Sequence, residues 1–349
     1  MKGPPSLGGR SNLSRRRALG LGLAALAQPL LAAPALAGGF RFPALSAARQ
    51  ADPFPLGVAS GDPLSDGFVL WTRLAPEPLS RDPQAPGGLS TGDILLRFEI
   101  AEDPLMQRIV RHGIARAEAA FAHSVHLEVG GLTPGRPYWY RFMTQDATSA
   151  IGCARTAPDA GQALDHFRFG FVSCSNYEQG YFAAYRHLAA EAPDLVLFLG
   201  DYIYETVQPK EKAVVRRHSD GEVPTTLTGY RNRYAQYRLD PDLQALHATA
   251  PALVIWDDHE VQNDYAGEWS STFEPPALFL KQRAAAYQAF YEHMPLRPSR
   301  CLQGAAQGSE MRSMTAPALA ISPASPCSTG DSTAPAKPAM HRLMAAVMS

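Results

Sequence analysis

Leu195-Val196-Leu197-Phe198-Leu199-Gly200-Asp201 is a run of five apolar residues that stops on a glycine and an acid. An unbroken apolar run of this length reads as a strand buried on both faces, the kind found inside a sheet covered by helices. Ala252-Leu253-Val254-Ile255-Trp256-Asp257-Asp258 repeats the pattern, and Phe167-Arg168-Phe169-Gly170-Phe171-Val172-Ser173, followed by Cys174, supplies a third buried-type strand. Helical spacing over 181–188 separates the first two of these strands along the chain. The polar, Arg- and Tyr-rich segment 227–246 reads as two helices packed outside the sheet, and 279–294 as another helix with an apolar stripe. Strand, helix, strand order predicts an α/β layer over 165–300.

Upstream, residues 45–156 read differently. Short alternating runs recur about every ten residues between turn signals, clearest at 68–73, 94–100, 124–129 and 138–142, and predict antiparallel strands. The turn Gly130-Gly131-Leu132-Thr133-Pro134-Gly135 precedes Tyr138 in the manner of the tyrosine corner of immunoglobulin and fibronectin type III sandwiches. An all-β immunoglobulin/fibronectin-like domain is therefore expected before the α/β layer, with Trp71, Trp139 and Tyr140 read as core rather than as binding aromatics.

The ends of the chain have their own signatures. Arg15-Arg16-Arg17 precedes a mildly apolar Ala/Gly-rich run that closes on Ala35-Leu36-Ala37, the small-residue pattern of a signal-peptide cleavage site. Paired arginines ahead of such a run predict a twin-arginine signal peptide over 1–37, with the twin-arginine translocation machinery as a partner and a periplasmic or secreted destination. Gln28, Pro29 and Pro34 interrupt the run, so no stable membrane insertion is expected after cleavage. From Cys301 onward no Phe, Tyr or Trp occurs, and five of the nine methionines fall there. Residues 301–349 are thus expected to be a disordered tail, read out of frame after a frameshift near residue 300.

The whole chain of 349 residues is 46% hydrophobic with a formal charge of −1, so it can bury a core and carries no global field toward nucleic acid. Arg216-Arg217-His218 and Tyr230-Arg231-Asn232-Arg233-Tyr234 are short basic clusters, read as a solvated helix face or a phosphate-facing rim. Four cysteines far apart, with no CxxC spacing, argue against a zinc ribbon or a disulfide framework.

Chemistry gathers where ligands bind in open α/β sheets, beyond the carboxyl ends of the strands. Cys174 follows one strand, Asp201 and Tyr204 a second, and Asp257-Asp258-His259-Glu260 a third. Each has an ordinary reading: Cys174 as a small buried hydrophobe, Asp201 as a helix cap, Tyr204 as packing, His259 as a structural histidine. Together they point to a metal site, since an acid directly after an apolar run is poorly solvated unless a cation meets it. Thiolate and phenolate beside carboxylates favour a ferric ion over zinc alone.

These segments, with Gly57-Val58-Ala59-Ser60-Gly61-Asp62-Pro63 upstream, resemble the successive motifs of the PhoD-type alkaline phosphatases, a branch of the calcineurin-like metallophosphoesterases. The resemblance covers 14 to about 300. It implies a metallophosphoesterase-like β-sandwich flanked by helices, here incomplete, and an exported hydrolase of phosphomonoesters, with phosphodiesters as an extension. A phospholipase D-like phosphodiesterase and an inactive secreted surface-binding fragment are the alternatives. It also implies Fe3+ and Ca2+, with Cys174 and Tyr204 as iron ligands, Asp201 bridging to a second metal and Asp258 as a further ligand. His259 would face the phosphate and stabilise or protonate the leaving oxygen, with Asn263 in the same shell. The family's late ligand motif has no counterpart here, so the activity is expected of a parent sequence rather than of this chain.

Overall fold

The computed structural model describes residues 51–300 except position 91, and everything structural below concerns these residues. The expected signal peptide over 1–37 and the expected tail over 301–349, with Cys301 and Cys327, lie outside them. In chain order the elements are β1 (Val58–Leu64), β2 (Gly67–Arg73), β3 (Ile94–Ala101), β4 (Ile109–Ala117), β5 (Ser124–Val129), β6 (Pro137–Met143), β7 (Gly152–Arg155) and β8 (Phe169–Val172). Then follow α1 (Ala183–Ala190), β9 (Leu195–Leu199), α2 (Leu227–Arg238), α3 (Pro241–Thr249), β10 (Ala252–Ile255) and α4 (Pro276–His293).

Two sheets form, with strand orders β5-β2-β1-β10-β9-β8 and β4-β3-β6-β7. In the larger one, β8, β9 and β10 run parallel, and β9 and β10 are buried at every position, as continuous apolar runs require. The β8 expectation needs correction: β8 is the edge strand, and Phe171, on its outer face, is 61% exposed. The separate immunoglobulin-like domain is not confirmed either. β1 pairs parallel to β10 through Gly61 and Ala252, so β1, β2 and β5 extend the α/β sheet. The smaller sheet packs over that extension, with Leu96, Ile100, Tyr140 and Phe142 meeting Phe68 and Leu70. A sandwich exists, but one of its layers is shared with the α/β half. Trp71 and Tyr140 are core, as expected, whereas Trp139 is only half-buried because alternate positions of β6 face away from the packed side. The tyrosine corner is present, with Tyr138 Oη accepting from Thr133 N at 3.0 Å and donating to Thr133 O at 3.4 Å.

Local signals explain the helices. Thr226 Oγ1 accepts from Gly229 N to cap α2, and Asp240 accepts from Asp242 N and Leu243 N ahead of Pro241 to cap α3. Helix α2 departs from the expected solvated face. Tyr230 to Arg238 are all buried, because its arginines are matched inside the fold. Arg231 makes a two-pronged pair with Glu292 of α4 at 2.6 Å, Arg238 donates to the His293 carbonyl, and Arg233 donates to the Tyr204 and Glu205 carbonyls. In the other basic cluster, Arg217 is exposed and donates to backbone carbonyls within residues 208–212, His218 is buried, and Arg216 pairs with Asp240 at 2.6 Å over the Tyr177 and Phe182 rings. Among the described residues, no helix is long and apolar enough to cross a membrane.

Candidate metal centre

The carboxyl ends of β8, β9 and β10 converge. Cys174 and Asp201, each two residues past its strand, adopt left-handed backbone conformations with φ of 56° and 51°. Such conformations cost a non-glycine residue about 1 kcal/mol or more and persist where surrounding contacts impose them. Here the contacts are Cys174 N donating to Gly200 O and Ser175 N to Asp201 O, which turn the first strand end against the second. Gly200 has a φ of 91°, and a Cβ on it would lie 2.6 Å from Asp257 Cβ, so only glycine lets the β9 and β10 ends approach this closely.

Asp201, Asp258 and His259 offer ligand atoms that all lie within 4.8 Å of one another. Tyr204 Oη donates to Asp201 Oδ2 at 3.0 Å, while Asp201 Oδ1 is buried with no hydrogen-bond partner. Burial, then the Asp201 carboxylate, pushes the Tyr204 phenol well up, and burial likewise raises the exposed Cys174 thiol, which also feels Asp201. Asp257 is raised by burial and by the charges of Asp258 and Asp201. A buried, unpartnered carboxylate oxygen beside the raised Asp257 carboxyl is what a cation would relieve. The donor set of carboxylates, imidazole, phenol and thiol therefore fits a metal, with Asp201 and Asp258 as its hardest ligands and Cys174 and Tyr204 beside them.

Two glutamates stand behind this cluster, and the sequence had assigned neither a role. Glu205, buried, accepts from His259 Nδ1 at 2.7 Å and from Asn263 N at 2.8 Å. Burial would lower the His259 pKa, but the Glu205 bond and charge outweigh it and push it up to about 9. Glu260, fully buried, accepts three backbone N–H groups, from Asp201, Tyr202 and Asp257. The D-x-x-E spacing of Asp257 and Glu260 is a capping-box signature that could have marked the latter. Nothing in the local sequence marks Glu205. Asn263 is brought near, but its amide is turned onto Asp264 Oδ2 at 2.6 Å. Asp264 N in turn donates to Asp258 Oδ2 at 2.6 Å. A cavity of about 260 Å³ opens beside Cys174, lined also by Asn176, Gln179, Tyr181 and Tyr185.

Comparison with known proteins decides the family. The family model for PhoD-like phosphatase matches residues 169–316, and that for the PhoD-like phosphatase N-terminal domain matches residues 41–158. The chain belongs to the PhoD-like phosphatase family. Alkaline phosphatase D of Bacillus subtilis (strain 168) is 48% identical over 256 residues, which are 72% of this chain and 43% of that protein. A solved structure of PhoD superimposes with a TM-score of 0.68 at 47% identity, over 72% of this chain and 48% of the other. The chain thus spans less than half the length of these two PhoD relatives. The two family models leave residues 159–168 between them, and β1 and β10 share a sheet across that gap.

Proposed function

We propose that this chain carries part of a metal-dependent phosphoric ester hydrolase that acts on phosphomonoesters and extends to phosphodiesters. The observation that carries the reading is the Asp201, Asp258 and His259 cluster with its unpartnered Asp201 Oδ1, in a chain of the PhoD-like phosphatase family. Asp201, Asp258, Cys174 and Tyr204 would hold the ions, Fe3+ and Ca2+ by resemblance. Bound cations supply neutralisation of the phosphoryl oxygens and acidification of water at the site. The chain's own residues do the remainder. His259, kept cationic by Glu205, holds a proton for the leaving alkoxide, and the cavity beside Cys174 gives room for the alcohol portion of the ester. Asn263 enters the substrate shell once its amide turns from Asp264.

Export by the twin-arginine route to the periplasm or medium belongs to the same reading, supported by Arg15-Arg16-Arg17 and the Ala35-Leu36-Ala37 pattern. A lipid phosphodiester is the second reading. It is favoured by Trp269 and Phe273, which are 58% and 92% exposed on the segment following Asp264. The test is hydrolysis of p-nitrophenyl phosphate, bis-p-nitrophenyl phosphate and phosphatidylcholine vesicles by the full chain supplied with iron and calcium. Turnover lost in Asp201→Asn supports the metal reading, and turnover retained in that variant refutes it.

A further inference from the structure

Three features converge on one side chain that touches no ligand atom. The ends of β9 and β10 carry the two acids of the cluster, on segments 200–204 and 256–260 that are distant in sequence. Glu260 Oε2 accepts from Asp201 N at 3.1 Å and from Asp257 N at 2.6 Å, while Oε1 accepts from Tyr202 N. One carboxylate therefore bonds the peptide groups of both segments at once, with Asp201 itself donating and Asp258 lying directly after the donor Asp257. Gly200 supplies independent support, since its closeness to Asp257 is the approach that this carboxylate spans. Cys174 and Ser175 hang on the same backbone through Gly200 O and Asp201 O. All three strand ends are thus registered against one hub.

We propose that Glu260 is a positioning residue that sets the separation of Asp201 and Asp258, and through it the affinity of the site for a metal ion. The inference rests on the metal reading above and adds to it a residue outside the ligand set. Only a carboxylate suits the hub. Glutamine in the same volume would turn an amide N–H against at least one backbone donor, and aspartate is one methylene too short to reach both segments while its own backbone stays in place. Partners of this kind, behind a metal ligand, typically change metal affinity about 10–100-fold when replaced.

The experiment is Co2+ titration of the full chain, followed by its visible absorption bands, for wild type, Glu260→Gln and Glu260→Asp, with thermal unfolding recorded for each. Folded variants should bind Co2+ about 10–100-fold more weakly than wild type, with altered band positions. A fall in melting temperature with unchanged Co2+ affinity and bands would make Glu260 a purely structural residue and overturn the proposal. Should the variants not fold, amide exchange in wild type decides. Co2+ should slow exchange at Asp201, Tyr202 and Asp257, and exchange there that ignores the metal overturns it. A wild-type chain that takes up no Co2+ refutes the metal reading itself, whereas normal uptake with undisturbed variants refutes this inference alone.

Discussion

Among the described residues, two clusters of charged side chains are built on opposite terms. One joins β2, α2 and α4. Arg231 is clasped by Glu292, Arg73 donates to His293 Nε2 at 2.8 Å and to Ala122 O, His293 Nδ1 donates to Ala289 O, and Arg238 lies 4.1 Å over the Trp71 ring while donating to His293 O. Each cation there meets a carboxylate, a carbonyl, a neutral imidazole or a ring. The other cluster gathers Asp201 and Asp258 with an orphaned oxygen and draws its nearest histidine toward the charged state. The first meets each charge with groups from the chain, although Arg238 Nη1 is left without a hydrogen bond, which is how a buried charge serves packing. The second leaves Asp201 Oδ1 without a partner from the chain, the position that the proposed function gives to a cation.

The largest effect should come from attacking the Asp201 and Asp258 cluster. Asp201→Asn and Asp258→Asn should each lower metal affinity by more than about 100-fold, beyond what a residue behind the ligands costs. They should leave the melting temperature of the metal-free chain unchanged or higher, because a repelling charge is removed. Isothermal titration with metal and calorimetric melting check both halves, and a large drop in melting temperature would erase the distinction drawn here. At the arginine cluster the signs reverse. Glu292→Gln strands Arg231 in the core and should cost about 3–5 kcal/mol in urea unfolding with metal affinity unchanged, as breaking a buried pair does.

Acid should attack the scaffold side as well. Burial holds His126 down to about 4, and it keeps His293 well below the usual histidine range, assisted by Arg73. A histidine whose folded pKa is depressed favours the neutral form in the fold. Its contribution is therefore present above about 6.5 and is lost as pH falls toward the folded value. For His126 that span is worth on the order of 3 kcal/mol, so unfolding free energy should decline steeply between pH 6.5 and 4, and His126→Gln should flatten that decline. The smallest effect is at the tyrosine corner. Tyr138→Phe removes the bonds to Thr133 and should cost about 1 kcal/mol without touching metal uptake.

Much of this arrangement was legible in the sequence, and the exceptions share a cause. Strands β9 and β10 announce themselves because a residue buried on both faces must be apolar, and the acids that follow them stand out for the same reason. Cys174, Asp201, Tyr204, Asp258 and His259 could thus be named from spacing, and they meet in the fold. Helix α2 misled because its arginines and tyrosines look solvated in isolation. Their partner Glu292 lies 61 positions downstream of Arg231, and no local pattern reveals such a pairing. Glu205 escaped for the same reason, since its significance is the His259 imidazole 54 positions away. The sharing of a sheet by β1 and β10 was equally hidden, because pairing partners are not written in either strand alone.

That shared seam has a temporal side. Gly61 of β1 pairs with Ala252 of β10, so one strand leaves the ribosome 191 residues before its neighbour exists. At about 5–20 residues per second, the β1 edge stays open for roughly 10–40 s while β2 and β5 are already available on its other side. The early strands can form a layer first and then template the nascent α/β strands as they emerge. During that interval the growing chain exposes a strand edge that any passing extended segment could occupy.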